Sequence, residues 1–244
     1  MIQYDRQQKL LDILTRRGSA TIKELSEEVF VSEASVRRDI AALEAGGYVK
    51  KVYGGVVVSD YKNSVVPLAL RSSDHSQSKE RIAEIAAGEV KNGMTILLDA
   101  SSTVNKMIKY LSGVRDLRII TNSLYAFEEI SKLGAGSGEI RAYCTGGEFD
   151  PASRAFFGPA AERYINSISA DIVFFSSQGL SEEGEISDVY EQETSLRRAM
   201  LTRAKRRVFL CDASKLGVRR IFTLCTKEDV DRIICDAPLP WEEK

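Results

Sequence analysis

The chain has 244 residues, 43% hydrophobic and 28% charged, with a formal net charge of −1, enough for one large or two ordinary globular domains with ample core material. No apolar run approaches the ~20 residues of a bilayer span, and the N-terminal MIQYDRQQKLL has an early acid and no apolar centre, so neither a membrane segment nor a secretory signal is expected and the expected compartment is the cytoplasm. Residues 1–59 carry nine basic and eight acidic side chains, so any case for nucleic acid must rest on where the charges sit, because counterion release depends on local phosphate contacts.

Residues 4–17 set Leu10, Leu11, Ile13 and Leu14 among charged residues, an amphipathic helix stopped at Gly18. Thr21-Ile22-Lys23-Glu24 has the form of a capping box and opens a short second helix with Ile22, Leu25 and Val29 turned inward. A third helix follows Val31-Ser32. Ser32 is its N-cap, Val36, Ile40 and Leu43 form its apolar stripe, and Gly46-Gly47 stops it. Ser35, Arg37 and Arg38 fall off that stripe near the front end. A short helix that packs by one side and presents hydroxyls and guanidiniums at its front suits a DNA major groove. YVKKVYGGVVV then reads as two strands about Gly54-Gly55, a wing whose Lys50 and Lys51 would meet phosphates without reading sequence. Residues 1–59 thus form a winged helix-turn-helix, and the polar stretch 60–77, with Pro67, reads as a linker.

From residue 78 helical patterns alternate with short β-branched runs: KERIAEIAAGEV, TILLDAS, STVNKMIKYL, RIITNS, LYAFEEISKLG, IRAYCTGG, PAAERYINSI, DIVFFSS, a long helix near 190–204, RVFLCDAS, FTLC, KEDVDRI and IICDA. Strands apolar on both faces and separated by helices predict a larger, mostly parallel α/β sheet domain over 78–244. The cysteines, Cys144, Cys211, Cys225 and Cys235, sit in or beside these runs without CxxC spacing and read as buried reduced thiols. With His75 the only histidine, no zinc site, other metal or cofactor is expected.

Ligands of parallel sheets bind beyond the C-terminal strand ends. The first strand leads to Asp99-Ala100-Ser101-Ser102-Thr103, the second to Thr121-Asn122-Ser123 and the third to Thr145-Gly146-Gly147. Together these hydroxyls, glycines and helix starts offer an anion cradle, although serine and threonine also cap helices wherever helices begin. Lys215, just past a strand end, either reaches such an anion as a point charge or pairs with Asp212 on the surface. Glu191 and Glu193 are also candidates for sugar hydroxyls, but read first as the solvated side of their helix.

VSEASVRRDIAALEAGGYVKKVYGGVVV resembles the N-terminal signature of DeoR-type bacterial transcriptional regulators at Val31, Ser32, Arg37, Arg38, Asp39, Leu43, Glu44, Gly54 and Gly55, with Lys51 and Tyr53 where the family carries arginine and histidine. The candidate DNA-contacting set is Ser32, Ser35, Val36, Arg37, Arg38, Lys50, Lys51 and Tyr53. The remainder, to about Asp236, resembles the DeoR-type sensor domain through LLDASST, ITNS, TGG, Gly158, QGL at 178–180 and CDASKLG at 211–217. That domain shares its fold group with ribose-5-phosphate isomerase and glucosamine-6-phosphate deaminase. The resemblance implies a phosphorylated sugar effector, its phosphate at Ser101, Ser102 and Thr103, with Asp99, Thr121, Asn122, Gly147, Gln178 and Lys215 around the rest.

The related isomerases place carboxylates in a DGADE loop for proton transfer, where a base must lie within hydrogen-bond reach. The matching run here is Ser176-Ser177-Gln178-Gly179-Leu180. The expected protein is therefore no enzyme but a DNA-binding regulator of sugar metabolism, a repressor assembled as a dimer or tetramer on an operator duplex. The alternative is a sugar-phosphate isomerase or deaminase carrying a DNA-binding module.

Overall fold

A computed structural model of the chain describes residues 3–45, 48–58, 68–73, 75–133 and 140–242. The chain divides into two units, Met1–Ser76 and Gln77–Lys244. The expected helix stop at Gly46-Gly47 and the 60–67 part of the expected linker lie outside the described residues.

The smaller unit runs α1 (Gln3–Arg17), β1 (Ser19–Ala20), α2 (Ile22–Val29), α3 (Glu33–Ala45), β2 (Val49–Val52), β3 (Gly55–Val58) and α4 (Leu68–Ser73). Its core is the apolar stripe of each helix: Leu10, Leu11, Ile13 and Leu14 of α1, Leu25 and Val29 of α2, and Val36, Ile40 and Leu43 of α3, closed by Val49 and Val56. The capping box is formed: Thr21 Oγ1 accepts from Glu24 N at 3.2 Å and Glu24 Oε2 from Thr21 N at 2.7 Å. β1 and β2 flank β3 in an antiparallel ribbon. Val52 pairs Gly55 across a two-residue turn, and Gly54 there takes φ +89, which an L side chain adopts only under strain. A side chain on Gly55 would meet the Ala20 carbonyl oxygen at 2.8 Å. Within the expected linker, α4 is helical and lies against α1.

The larger unit runs α5 (Ser76–Ala87), β4 (Thr95–Leu98), α6 (Ser102–Asn105), β5 (Leu117–Thr121), α7 (Leu124–Lys132), β6 (Ile140–Cys144), β7 (Glu148–Asp150), β8 (Ala155–Phe157), α8 (Pro159–Asn166), β9 (Ala170–Phe175), β10 (Gly179–Leu180), β11 (Glu185–Asp188), α9 (Glu191–Arg203), β12 (Ala204–Cys211), β13 (Phe222–Thr226) and β14 (Arg232–Cys235). Six of these strands form one sheet, ordered β14-β12-β9-β4-β5-β6 and parallel throughout. Successive side chains of a strand face opposite ways, so Ile96, Leu98, Ile172 and Phe174 join the layer of α5 and α7, while Leu97, Val173 and Phe175 join that of α8 and α9.

The expected α/β class thus holds, with local differences. FTLC (β13) lies in a separate antiparallel sheet, β10-β11-β13, and β7-β8 is a hairpin. KEDVDRI forms a single 3-10 turn at Lys227–Asp229 and then enters β14 at Arg232. Cys144 is exposed and Cys225 and Cys235 are partly exposed, so only Cys211 is a buried thiol as expected. No helix among the described residues is long and apolar enough to cross a membrane.

Candidate DNA-binding face and effector site

On the smaller unit, the side of α3 turned from the core carries Arg37 and Arg38, both exposed. Arg37 Nη2 lies 2.8 Å from Glu33 Oε2 with 65% of its side chain still accessible. Ser32 Oγ accepts from Ser35 N at 3.3 Å and lies 3.0 Å from Ser35 Oγ, so the expected cap is present. Lys50 and Tyr53 are exposed on the wing. Two members of the expected set have other work. Val36 is fully buried and packs the helix instead of touching a duplex. Lys51 Nζ lies 2.7 Å from Glu44 Oε2, and Lys51 N donates to Glu44 Oε1 at 3.0 Å. These bonds from the Lys51 side chain and backbone hold the Glu44 carboxyl below the usual carboxylate range and tie the wing to α3. Asp39 is a second tie: fully buried, it accepts from Arg6 Nε and, at 3.2 Å, from Arg6 Nη2. The Arg-Arg-Asp run therefore holds two exposed cations and one buried anchor.

Phe30 ends α2 in the left-handed region, φ 54, its N–H bonded to Ser26 O, with its ring 92% exposed. That backbone costs an L residue roughly 1–2 kcal/mol, offset in part by glycine's greater unfolded freedom. Phe30→Gly therefore stabilises the smaller unit by about 0.5–1 kcal/mol, read as slower amide exchange across α2 and α3. Unchanged or faster exchange would show that the ring packs.

On the larger unit, the ends of β4, β5 and β6 are neighbours along one edge of the sheet, with those of β9 and β12 on the far side of β4. The chain leaves β4 toward β5 and β6, and later fills β9, β12 and β14 on the opposite side. The β4–β9 junction is therefore the switch point where such sheets open a crevice. Asp99 sits there. Its Oδ1 accepts from Ser101 N at 2.9 Å, and its Oδ2 from Ser176 N at 3.1 Å and Arg197 Nε at 2.7 Å, which takes three of about four acceptor directions of a carboxylate. Arg197, 5% exposed, also reaches Asp188 Oδ2 at 2.6 Å and Glu193 Oε2 at 2.9 Å. Burial pushes the Arg197 guanidinium down, but the charges of Asp188, Asp99 and Glu193 outweigh it and hold the group above its ordinary range.

A narrow cleft opens against this cluster, its enclosed part with room for about one water, lined by Asp99, Ala100, Asn122, Phe157, Glu193, Leu196, Arg197 and Met200. Asn122, 2% exposed, donates Nδ2 to Phe156 O at 3.2 Å, which fixes its amide and leaves Oδ1 buried with no hydrogen-bond partner. Such an acceptor is costly unless a donor arrives.

The other expected effector residues divide. Thr121 is fully buried, its Oγ1 accepting from Ser123 N at 3.0 Å, so it shapes its loop and does not line the cleft. Ser101 caps α6, accepting from Val104 N at 3.3 Å. Ser102 and Thr103 are buried beside it and do not line the cleft. Gly147, φ +113, packs so closely on β8 that a Cβ would meet Phe157 O at 2.3 Å. Gln178 and Lys215 are half-buried on adjoining loops, where Leu216 bridges Leu180. Asp212 Oδ1 accepts from Ser214 N at 3.1 Å, and no ion pair joins Asp212 to Lys215 among the described residues. The surface-pair alternative for Lys215 thus falls.

Glu193, read first as solvent-facing and second as a sugar-hydroxyl contact, is buried and lines the cleft, and Asp188 and Arg197 went unread in the sequence. The sequence shows only that Glu193 and Arg197 are four apart on α9, and it is the burial of 193, 194, 196, 197, 200 and 201 as one stripe that places the charges inside.

A helix presenting cations beside a basic wing, joined in one chain to an α/β body with a cleft at its switch point, defines a DNA-binding transcriptional regulator. Residues 6–62 match the DeoR-like helix-turn-helix domain and residues 74–237 the DeoR C-terminal sensor domain. The chain belongs to the DeoR family of transcriptional regulators. It is 34% identical to the HTH-type transcriptional regulator GolR of Listeria innocua, over 97% of this chain and 91% of that one. With the lactose phosphotransferase system repressor of Staphylococcus epidermidis it shares 27% identity over 97% and 93%. A solved ribose 5-phosphate isomerase of Methanocaldococcus jannaschii overlays 58% of this chain and 55% of its own at 18% identity and TM-score 0.40. The curated relatives are regulators, so the enzyme alternative is set aside.

Proposed function

We propose that this regulator represses genes of sugar or carbohydrate metabolism, gripping a double-stranded operator with the smaller unit and a phosphorylated sugar with the larger. The observation that carries the effector half is the buried, unpartnered Asn122 Oδ1 in a cleft whose opposite wall is acidic. A phosphate dianion beside Asp99 and Glu193 meets like charge, whereas a sugar hydroxyl donates to Asn122 Oδ1. One sugar hydroxyl therefore reaches into the cleft, with Asp99 shaping its wall, and the rest of the effector lies at its mouth, the phosphate toward the front of α6, Gln178 and Lys215. Likeness to a repressor whose own name ties it to a sugar transport system supports the metabolic class. The operator is read as two half-sites by a dimer or tetramer built through the larger unit. Effector and DNA are coupled by about 1–3 kcal/mol, a 5- to 150-fold change in operator affinity.

The test is a thermal-shift panel of ribose 5-phosphate, fructose phosphates and glucosamine 6-phosphate, each beside its unphosphorylated sugar and inorganic phosphate. One phosphorylated member raises the melting temperature, by about 2.7 kcal/mol of added stability at 100 times its Kd, and Asn122→Ala removes the shift. A panel that leaves both melting and operator affinity unmoved sinks the effector half.

A further inference from the structure

β12 and β14 run parallel, with Cys211 directly paired to Cys235 at the last residue of each strand. Paired residues of a parallel ladder project to the same face, and the two sulfurs stand 3.9 Å apart. The pair is unequal. Cys211 is fully buried, 3.6 Å from the Asp212 carbonyl oxygen, while Cys235 is partly exposed on the edge strand of the sheet. Beyond the pair the strand ends stay joined, Asp236 Oδ1 accepting from Ala213 N at 2.8 Å.

We propose that Cys211 and Cys235 form a dithiol modification site, oxidised by hydroperoxides to a disulfide that staples the edge strand to β12. The Cys235 thiolate attacks one peroxide oxygen. An S–O bond forms, the O–O bond breaks, and the departing oxygen leaves as water or an alcohol after taking a proton. The Cys211 sulfur then attacks the Cys235 sulfenic sulfur: the S–S bond forms, the S–O bond breaks, and hydroxide leaves as water with the Cys211 proton. Two thiols lose two electrons and the peroxide gains them.

The roles follow from surroundings. The hydrogen bond from Cys211 lowers the Cys235 thiol below its ordinary range, against burial and the neighbouring Asp236 charge. Its counterpart and burial push the Cys211 thiol up. The accessible sulfur is thus the nucleophile and the protected one resolves it. Closure to the ~2.05 Å of a disulfide draws two strand ends together, and an edge strand has one neighbour to disturb instead of two. Cys211 also leads directly into the Asp212–Lys215 turn, so if that turn holds the effector, as proposed above, oxidation changes effector affinity.

The experiment treats the reduced full chain with hydrogen peroxide, alkylates the remaining thiols and maps peptides by mass. Expected is one linked peptide joining Cys211 to Cys235, two hydrogens lighter and restored by dithiothreitol, with Cys144 and Cys225 alkylated. Cys144→Ser leaves that product unchanged and Cys235→Ser abolishes it. Links through Cys144, or over-oxidised Cys235 beside a still-free Cys211, overturn the proposal. Because the readout is covalent, it stands or falls whether or not any sugar phosphate binds.

Discussion

Replacing Arg197 by methionine lowers the stability of the larger unit by about 3–5 kcal/mol, the scale for breaking a buried ion cluster by removing one partner. Methionine keeps much of the aliphatic stem, so little packing is lost. What is lost is the guanidinium that bridges three buried carboxylates, Asp99, Asp188 and Glu193. Urea unfolding followed by Trp241 measures the effect. It is the single tryptophan, it packs against the core on the α9 side of the sheet, and it lies with Lys227 Nζ 4.4 Å from its ring centre, so its emission reports the larger unit alone. Arg197→Lys recovers part of the loss, since an ammonium keeps the charge without the planar fork that meets three carboxylates at once. Removing the carboxylates along with the arginine, with apolar residues of similar volume, recovers more, because a buried ion cluster is often no more stable than apolar packing. A loss under about 1 kcal/mol would mean that solvent already reaches the cluster. The same change loosens Asp99, and with it the backbone of Ser101 and Ser176, so the effector-induced melting shift weakens as well.

That cluster marks where sequence reading stops. The smaller unit was legible because its signals are local: a four-residue capping box, an apolar stripe on each helix, a glycine pair at the hairpin, of which Gly54 takes the two-residue turn and Gly55 begins β3. The six-stranded sheet was legible because a strand covered on both faces must be apolar throughout. Glu193 was not, since a charge four residues from its partner on a helix looks the same in solvent or core, and only α9 lying against the sheet decides. Asp39 and Glu44 belong to the recognised signature, yet their anchoring roles emerge only when Arg6, 33 residues away, and Lys51 arrive. Strands as short as β10, two residues in length, carry no period to read. The three strand-end loops after β4, β5 and β6 do lie side by side, but hydroxyls at Thr121 and Ser101 that resembled ligand contacts are spent on their own turns, while the open acceptor, Asn122 Oδ1, shows itself only once its amide nitrogen is bonded to Phe156 O.

On operator DNA selected from a randomised pool, Arg38→Ala weakens binding 5- to 150-fold, the 1–3 kcal/mol of a good bidentate base contact, and relaxes the preference at one base pair. Arg37→Ala does the same by a smaller factor. Arg37 begins in an exposed pair with Glu33, which is worth little by itself but leaves an acid near the duplex once the guanidinium has turned to the groove. Lys50→Ala weakens operator and random DNA alike and flattens the dependence of log K on log salt by about 0.9, one released counterion. Lys51→Ala has a different signature. Its ammonium is held by Glu44, so the change removes one of the two bonds between the wing and α3, leaves the Lys51 N–H to Glu44 Oε1 bond in place, and moves the salt slope less than Lys50→Ala does. Titrating each variant against selected and scrambled duplexes at several salt concentrations separates these roles. If Arg38→Ala costs the same on both duplexes and removes one unit of salt slope, Arg38 is a phosphate contact, and base reading passes to the Ser32–Ser35 hydroxyl pair and Arg37 at the front of α3.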